Sequence, residues 1–330
     1  MAERILITGI TGFVGSHMAD YVFDEHPGNE IYGLRRYHLS RMDHVRHNID
    51  RIKWVDCNLA DPISVRGMMD QVKPDRVFHC AAESFVSPSW NHPTHYMRVN
   101  YDCTVNLLDA LHQAGSKSPF HIPGSGEEYG EIHESELPID EQTILRPVNP
   151  YAVTKIAQDL IGYVYYKSYG VNVIRTRAFN HEGPRRDKVF GIPWYAYQIA
   201  KIENGLQKPH MKVGHLDDKR NFTHVKDMVE AYWLAVDNCI PGELYLIGSE
   251  NKEDIHTFRE CLENLISLST TNNITYEVVP KFVRPTQVPF LICDSTKFRK
   301  LTSWETKIGY RQILTDTLDY WRHQIKSNPP

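Results

Sequence analysis

The sequence predicts an α/β fold: a doubly wound parallel sheet with a smaller C-terminal α/β lobe. Three observations predict it. Short apolar runs alternate with helical patterns from residue 4 to residue 178. A glycine-rich turn sits between the first apolar run and the first helix. After residue 180 the alternation gives way to polar loops and irregular segments, as expected of a lobe built from excursions out of the sheet.

The chain has 330 residues, enough for a large α/β core and one appended lobe. Hydrophobic residues make up 41% and charged residues 24%, the balance of a globular protein. A net charge of −4 gives no basis for nucleic acid or an anionic membrane as partner. The six cysteines at 57, 80, 103, 239, 261 and 293 form no CxxC pair, which reads as reduced core thiols in a cytoplasmic protein. The start, Met1-Ala2-Glu3-Arg4, runs straight into a strand and resembles no signal peptide, and no apolar run is long enough to span a membrane. His38, His44 and His47 suit no metal site by their spacing and read as a solvated loop, so no metal is expected.

Arg4-Ile5-Leu6-Ile7-Thr8 reads as a buried parallel strand. Gly9-Ile10-Thr11-Gly12-Phe13-Val14-Gly15 then opens a helix to about Glu25. Glycines here let the backbone approach a pyrophosphate, and the helix N-terminus stabilises its charge. This Rossmann pattern places Gly9, Thr11, Gly12, Phe13, Val14 and Gly15 against a dinucleotide. The second strand begins at Glu30 and ends in Leu34-Arg35-Arg36. Arg35 and Arg36 stand where an NAD enzyme carries a carboxylate, so a ribose 2′-phosphate fits and NADP is the expected cofactor.

The third strand, residues 52–57, leads into Asn58-Leu59, a turn that can face adenine. A helix follows from Pro62. The fourth strand, residues 76–80, ends in Ala81-Ala82-Glu83-Ser84, small enough to pass under a ribose. One long helix, about 93–114, carries Asn100. The fifth strand, 119–122, delivers Gly124-Ser125-Gly126-Glu127-Glu128-Tyr129-Gly130 to its C-terminal end, where doubly wound sheets bind ligands. A proline-rich turn starts the next helix with Tyr151 and Lys155, four residues apart and so on one face. An ammonium beside a phenol favours phenolate, which suits Tyr151 to proton transfer, and Ser125 can hold the same substrate oxygen. Glu127 is a second, independent acid or base. The sixth strand is 171–178. The NADP-binding domain is therefore 1–180 with a return segment near 221–250, and the substrate lobe is 181–220 and 251–330.

The glycine turn, Ser125-x-Glu127, Tyr151-xxx-Lys155 and Asn100 together resemble the extended short-chain dehydrogenase/reductases that act on nucleotide sugars, over essentially the whole chain. Arg35-Arg36, Phe179 to Arg186, Leu216 to Arg220 and Arg284-Pro285-Thr286 are similar to the GDP-mannose 4,6-dehydratase family. That resemblance implies a GDP-sugar substrate. It implies that Tyr151 takes the C4 hydroxyl proton during hydride transfer, that Lys155 lowers the Tyr151 pKa and holds the nicotinamide ribose, and that Glu127 removes the C5 proton. Water then leaves from C6 and hydride returns. Asn58, Leu59, Ala81, Ala82 and Asn100 join the cofactor contacts. Ser84, Glu128, Asn180, Arg186, Val213, Arg220 and Arg284 become the substrate contacts, with arginine matched to phosphate. A homodimer or homotetramer is implied, with the segment after Arg36 reaching the neighbouring cofactor. Ser125 and Gly126 replace the family's usual Thr-Ser, Glu128 replaces an apolar residue, and Asn58 an aspartate. The Ser-Gly-Glu-Glu-Tyr-Gly run is also what GDP-4-keto-6-deoxy-sugar reductases carry, so a reductase or 4-dehydrogenase stays open. A non-enzymatic NADP-binding regulator is the third reading, and the presence of Tyr151 and Lys155 counts against it.

Overall fold

The computed structural model describes residues 2–327; Met1 and residues 328–330 lie outside the described residues. Six strands come in chain order before residue 180: β1 (Arg4–Thr8), β2 (Glu30–Arg35), β3 (Lys53–Asp56), β4 (Arg76–His79), β5 (Phe120–Ser125) and β6 (Val173–Ala178). With the later strand Leu244–Ile247 they form one sheet in the order Leu244–Ile247, β6, β5, β4, β1, β2, β3. Every pairing is parallel. The strand order reverses between β1 and β4, so a crevice opens at their C-terminal ends.

Side-chain alternation along β1 explains the two layers. Ile5 and Ile7 point to one face, where helices α1 (Phe13–Glu25) and Val225–Asn238 pack with Met18, Val22, Met228 and Tyr232. Leu6 points to the other, where α2 (Pro62–Val72) and the helix Cys103–Gln113 bring Met68, Val72, Leu107 and Leu111. The expected long helix is interrupted. It runs as α3 (Pro93–Met97), a π-helical turn at Arg98–Asp102, and α4 (Cys103–Gln113). Asn100 sits in that π turn. Helix α5 (Pro150–Tyr169) carries Tyr151 and Lys155. Asn149 caps it by accepting from Ala152 N at 2.8 Å, and Pro150 fills the first turn.

Beyond the sheet, α6 (Gly191–Glu203) and the helices Phe258–Ser267 and Tyr310–Ser327 enclose a separate core of Tyr195, Ile199, Leu262 and Leu314. Val225–Asn238 packs on the sheet and Leu244–Ile247 is its edge strand. One part of 251–330 departs from the expected split: Phe298 and Trp304 pack into the sheet core against Val225–Asn238 and Leu244–Ile247 rather than into the second lobe. The Trp304 indole donates to Asp227 O at 3.1 Å, which fixes them there. The segment read as a solvated loop is also ordered by packing. Asp43–Asn48 is a 3-10 helix with Val45 and Asn48 buried against α1. Asp20 of α1 accepts from His47 Nε2 at 2.7 Å and from Asn48 Nδ2 at 2.9 Å.

Candidate active site

The turn after β1 leaves no room for side chains. A Cβ on Gly9 would meet Ala81 N at 2.7 Å, and Gly9 holds a φ of +63°. A Cβ on Gly15 would lie 2.3 Å from Gly9 O. Strand, turn, α1 and the Ala81 segment are therefore pressed together, and only glycine allows it. Gly12 precedes α1 with no side-chain cap, so the first amides of the helix are open to an anion. Thr11, Phe13 and Val14 are half-buried in this turn, and Ala82 is exposed beyond it. These residues fit a dinucleotide. His44, which the sequence did not single out for this turn, packs against it. Burial, followed by the Arg185 charge, lowers its pKa.

At the end of β2, Arg35 Nε donates to Asp56 Oδ1 at 2.9 Å, and Arg36 is exposed. Asn58 is exposed and accepts from Ala60 N at 3.2 Å, while Leu59 O accepts from Asn106. Asn100 is fully buried. Its oxygen accepts from Glu83 N at 2.8 Å, and its amide donates to Glu83 O and Thr154 Oγ1. With every polar group engaged, it holds the Glu83 segment to α5 instead of touching a cofactor.

The two neighbouring glutamates separate. Glu128 turns inward, fully buried; its Oε1 accepts from Ser125 N at 2.7 Å, and its Oε2 pairs with Arg177 at 2.7 Å. Arg177 in turn pairs with Asp159, and Asp159 with Arg175. Glu128 is thus a brace under the turn, not a group offered to substrate, and burial pushes its pKa up to about 7. Glu127 turns the other way. Its Oε2 accepts from Asn149 Nδ2 at 2.9 Å and its Oε1 from Arg284 Nη1 at 3.2 Å. Asn149 is the cap of the Tyr151 helix, so Glu127 and Tyr151 are fixed to one frame.

Tyr151 is buried, and burial pushes its pKa well above the usual phenol range. The Ser125 side chain pulls it back, while Glu127 and Glu128 add to the rise. Burial thus outweighs the lowering expected from Lys155. The Lys155 ammonium instead donates to Pro123 O at 2.7 Å and to the Gln158 side-chain oxygen, and burial lowers its own pKa to about 8.

Among the expected substrate contacts, Arg186 lies over the Phe13 and Phe190 rings at 5.3 and 4.0 Å, with Nη1 donating to His181 O. That places it beside the glycine turn, and its charge acts on Tyr151. Asn180 is half-buried and Ser84 exposed. Arg220 is buried and donates to Val288 O at 2.7 Å and Lys219 O at 2.9 Å, so it braces the segment from which Arg284 reaches Glu127. Val213 is fully buried in the second core and offers no side chain to a ligand. Asn149, Gln158 and Arg177 were missed. For Asn149 the signal existed: Asn followed by Pro is a helix start.

Among the described residues no group of three or more His, Cys, Asp or Glu side chains could hold a metal ion, and no helix is long and apolar enough to cross a membrane. Residues 6–317 match the family described as GDP-mannose 4,6 dehydratase. A GDP-6-deoxy-D-mannose reductase of Pseudomonas aeruginosa is 29% identical over 99% of this chain and 99% of its own. GDP-mannose 4,6 dehydratase 1 of Arabidopsis thaliana is 28% identical, covering 95% of this chain and 88% of the relative. The solved structure of RMD from Pseudomonas aeruginosa complexed with NADPH has a TM-score of 0.84 at 28% identity, covering 98% of this chain and 100% of that one. DesIV, a dTDP-glucose 4,6-dehydratase of Streptomyces venezuelae, reaches a TM-score of 0.85 at 23% identity over 99% of each chain, a likeness of fold.

Proposed function

The chain belongs to the GDP-mannose 4,6-dehydratase family, and we propose that it dehydrates a GDP-hexose to the 4-keto-6-deoxy sugar with NADP as its cofactor. The observation that carries the reading is the Glu127 carboxylate, held by Asn149 at the head of the Tyr151 helix. Elimination across C5 and C6 needs a base at C5 in addition to a proton acceptor at C4, and Glu127 and Tyr151 are two such groups in one frame.

The glycine turn, the uncapped start of α1, and Arg35 with Arg36 would hold NADP. When bound, NADP supplies hydride acceptance from C4 and hydride return to C6. The rest falls to side chains. Tyr151 takes the C4 hydroxyl proton, and Ser125 orients that oxygen. Lys155 and Arg186 supply the positive charge that offsets the burial of Tyr151. Glu127 takes the C5 proton, made acidic by the neighbouring ketone, and gives it to the C6 hydroxyl as that group leaves as water; a solvent proton then enters at C5. Arg284 and Arg186 are the phosphate contacts, with Asn180 and Ser84 at the cleft. Arg220 acts behind Arg284.

We read the NADP-binding unit as residues 1–180 with 221–250 and 296–304, and the GDP-sugar lobe as the remainder. Val153, Leu160, Tyr163 and Val164 leave an apolar row exposed along α5, which supports a homodimer or homotetramer. Six free cysteines, five of them buried, support a cytoplasmic setting.

A second reading, reduction of a GDP-4-keto-6-deoxy sugar, has its own support. A phenol kept protonated by burial suits donation to a ketone, and both oxygens of Glu127 are engaged. The test is incubation of purified protein with GDP-mannose without added reductant. Dehydration predicts a product lighter by one water; an untouched substrate, with NADPH-dependent turnover of the 4-keto sugar, overturns it.

A further inference from the structure

Beneath Tyr151 runs a buried chain of hydrogen bonds whose directions are all fixed. The Thr104 hydroxyl has one hydrogen and donates it to Asn100 O at 2.7 Å. Its oxygen must therefore accept from Gln158 Nε2 at 2.8 Å and from His79 Nε2 at 2.9 Å. His79 then carries its hydrogen on Nε2, and its Nδ1 accepts from the Thr8 hydroxyl at 2.8 Å. The Thr8 oxygen accepts from Ala81 N at 3.1 Å. Burial, with the Lys155 charge, lowers the His79 pKa to about 3, in keeping with a neutral ring. The Gln158 amide thus cannot flip. Its nitrogen is committed to Thr104, so its oxygen faces the Lys155 ammonium. Gln158 is 1% exposed and Lys155 3%, which leaves no water to replace that oxygen.

We propose that Gln158 is a positioning residue for the reaction: it fixes the Lys155 ammonium and maintains its charge for proton transfer at Tyr151. The inference rests on the role given to Lys155 above. Two of the three ammonium hydrogens go to Pro123 O and Gln158, which leaves one for a ligand or the phenol. The chain also ties that ammonium to Thr8 and Ala81, the two ends of the crevice between β1 and β4. The other groups facing Lys155 are Glu128 from the turn after β5, Asp159 from α5, Cys80 and His79 from the end of β4, and His121 from β5. Of these, only His79 is linked to Gln158, through the Thr104 hydroxyl.

The test compares Gln158→Leu with Gln158→Glu in the full chain, labelled with lysine carrying nitrogen-15 at Nζ. The Lys155 signal is assigned by its disappearance in Lys155→Met. Gln158→Leu removes an acceptor from a buried ammonium and lowers the Lys155 titration midpoint. Gln158→Glu adds an opposite charge and raises it, by about 1–3 pH units. The high-pH limb of kcat follows in the same two directions, with KM unchanged. A merely structural residue would lower the melting temperature in both variants without moving the midpoint in opposite senses. A midpoint unmoved in both variants overturns the proposal, as does a moved midpoint that kcat ignores while Lys155→Met is inactive. Full activity in Lys155→Met overturns instead the role given to Lys155, and the proposal with it.

Discussion

Glu127 and Arg284 meet at 3.2 Å across the cleft, joining the turn after β5 to the second lobe. Asn149 holds the other carboxylate oxygen. Each oxygen keeps a second lone pair on which Glu127 can accept a proton, and its two partners differ in how firmly they are held. Arg284 is the mobile partner in this account, because a diphosphate competes for its guanidinium while Asn149 is locked by its cap.

Arg284→Met should therefore damage binding of the nucleotide sugar more than the chemistry. A hydrogen bond to a charged group contributes about 1.5–3 kcal/mol, or roughly 10–100-fold in KM. Steady-state kinetics with GDP-mannose check this. A variant whose kcat falls while KM holds would assign Arg284 to the chemistry instead.

Arg35 and Arg36 should select NADP over NAD. Replacing both by alanine should weaken NADP binding by about 1.5–3 kcal/mol for each charge-assisted hydrogen bond removed, and leave NAD binding nearly unchanged. Arg35 is held by Asp56, so Arg36 should carry the larger share. Equilibrium titration of the two cofactors decides it, and an equal weakening of both would refute the assignment.

Asp227 offers a stability test away from the site. Its carboxylate accepts from Lys307 N at 3.1 Å and Ile308 N at 3.0 Å, and burial pushes its pKa up to about 6. A folded pKa above the unfolded one stabilises at low pH. The contribution is complete below about pH 3.8 and is lost as the pH rises through about 6. Asp227→Asn keeps an acceptor and cannot ionise. Wild type should lose about 1–2 kcal/mol relative to this variant between pH 5 and pH 8, read from paired denaturant melts. Parallel pH profiles would contradict it.

What the sequence made legible was local. The glycine turn, the alternation along β1 and the start of α5 are written in neighbouring residues, and the structure carries them nearly at the expected bounds. The direction of Glu128 was also legible, because Ser125-Gly126-Glu127-Glu128 has the spacing of a capping box, in which the fourth residue folds back on the first. Reading both glutamates as site residues overlooked that. Other assignments depended on distant partners. Asn100 is consumed by Glu83 and Thr154, Arg220 by carbonyls near residue 288, and Lys155 by Pro123 O. Spacing within one segment carries no trace of such partners. The same holds for Phe298 and Trp304, which pack against Val225–Asn238, where the Trp304 indole donates to Asp227 O.

Dehydration through Glu127 is tested most directly by solvent deuterium at C5. GDP-mannose is incubated with the wild-type protein in deuterated water, without added reductant, and the product is read by mass and NMR. Dehydration gives loss of one water, one deuterium at C5, and a bound cofactor that is oxidised again after each turnover. Glu127→Gln should lower that rate by about 10²–10⁴-fold, and Tyr151→Phe should block the C4 oxidation before it. An unchanged GDP-mannose, with a 4-keto sugar reduced at the expense of one NADPH per turnover and no deuterium at C5, would contradict it.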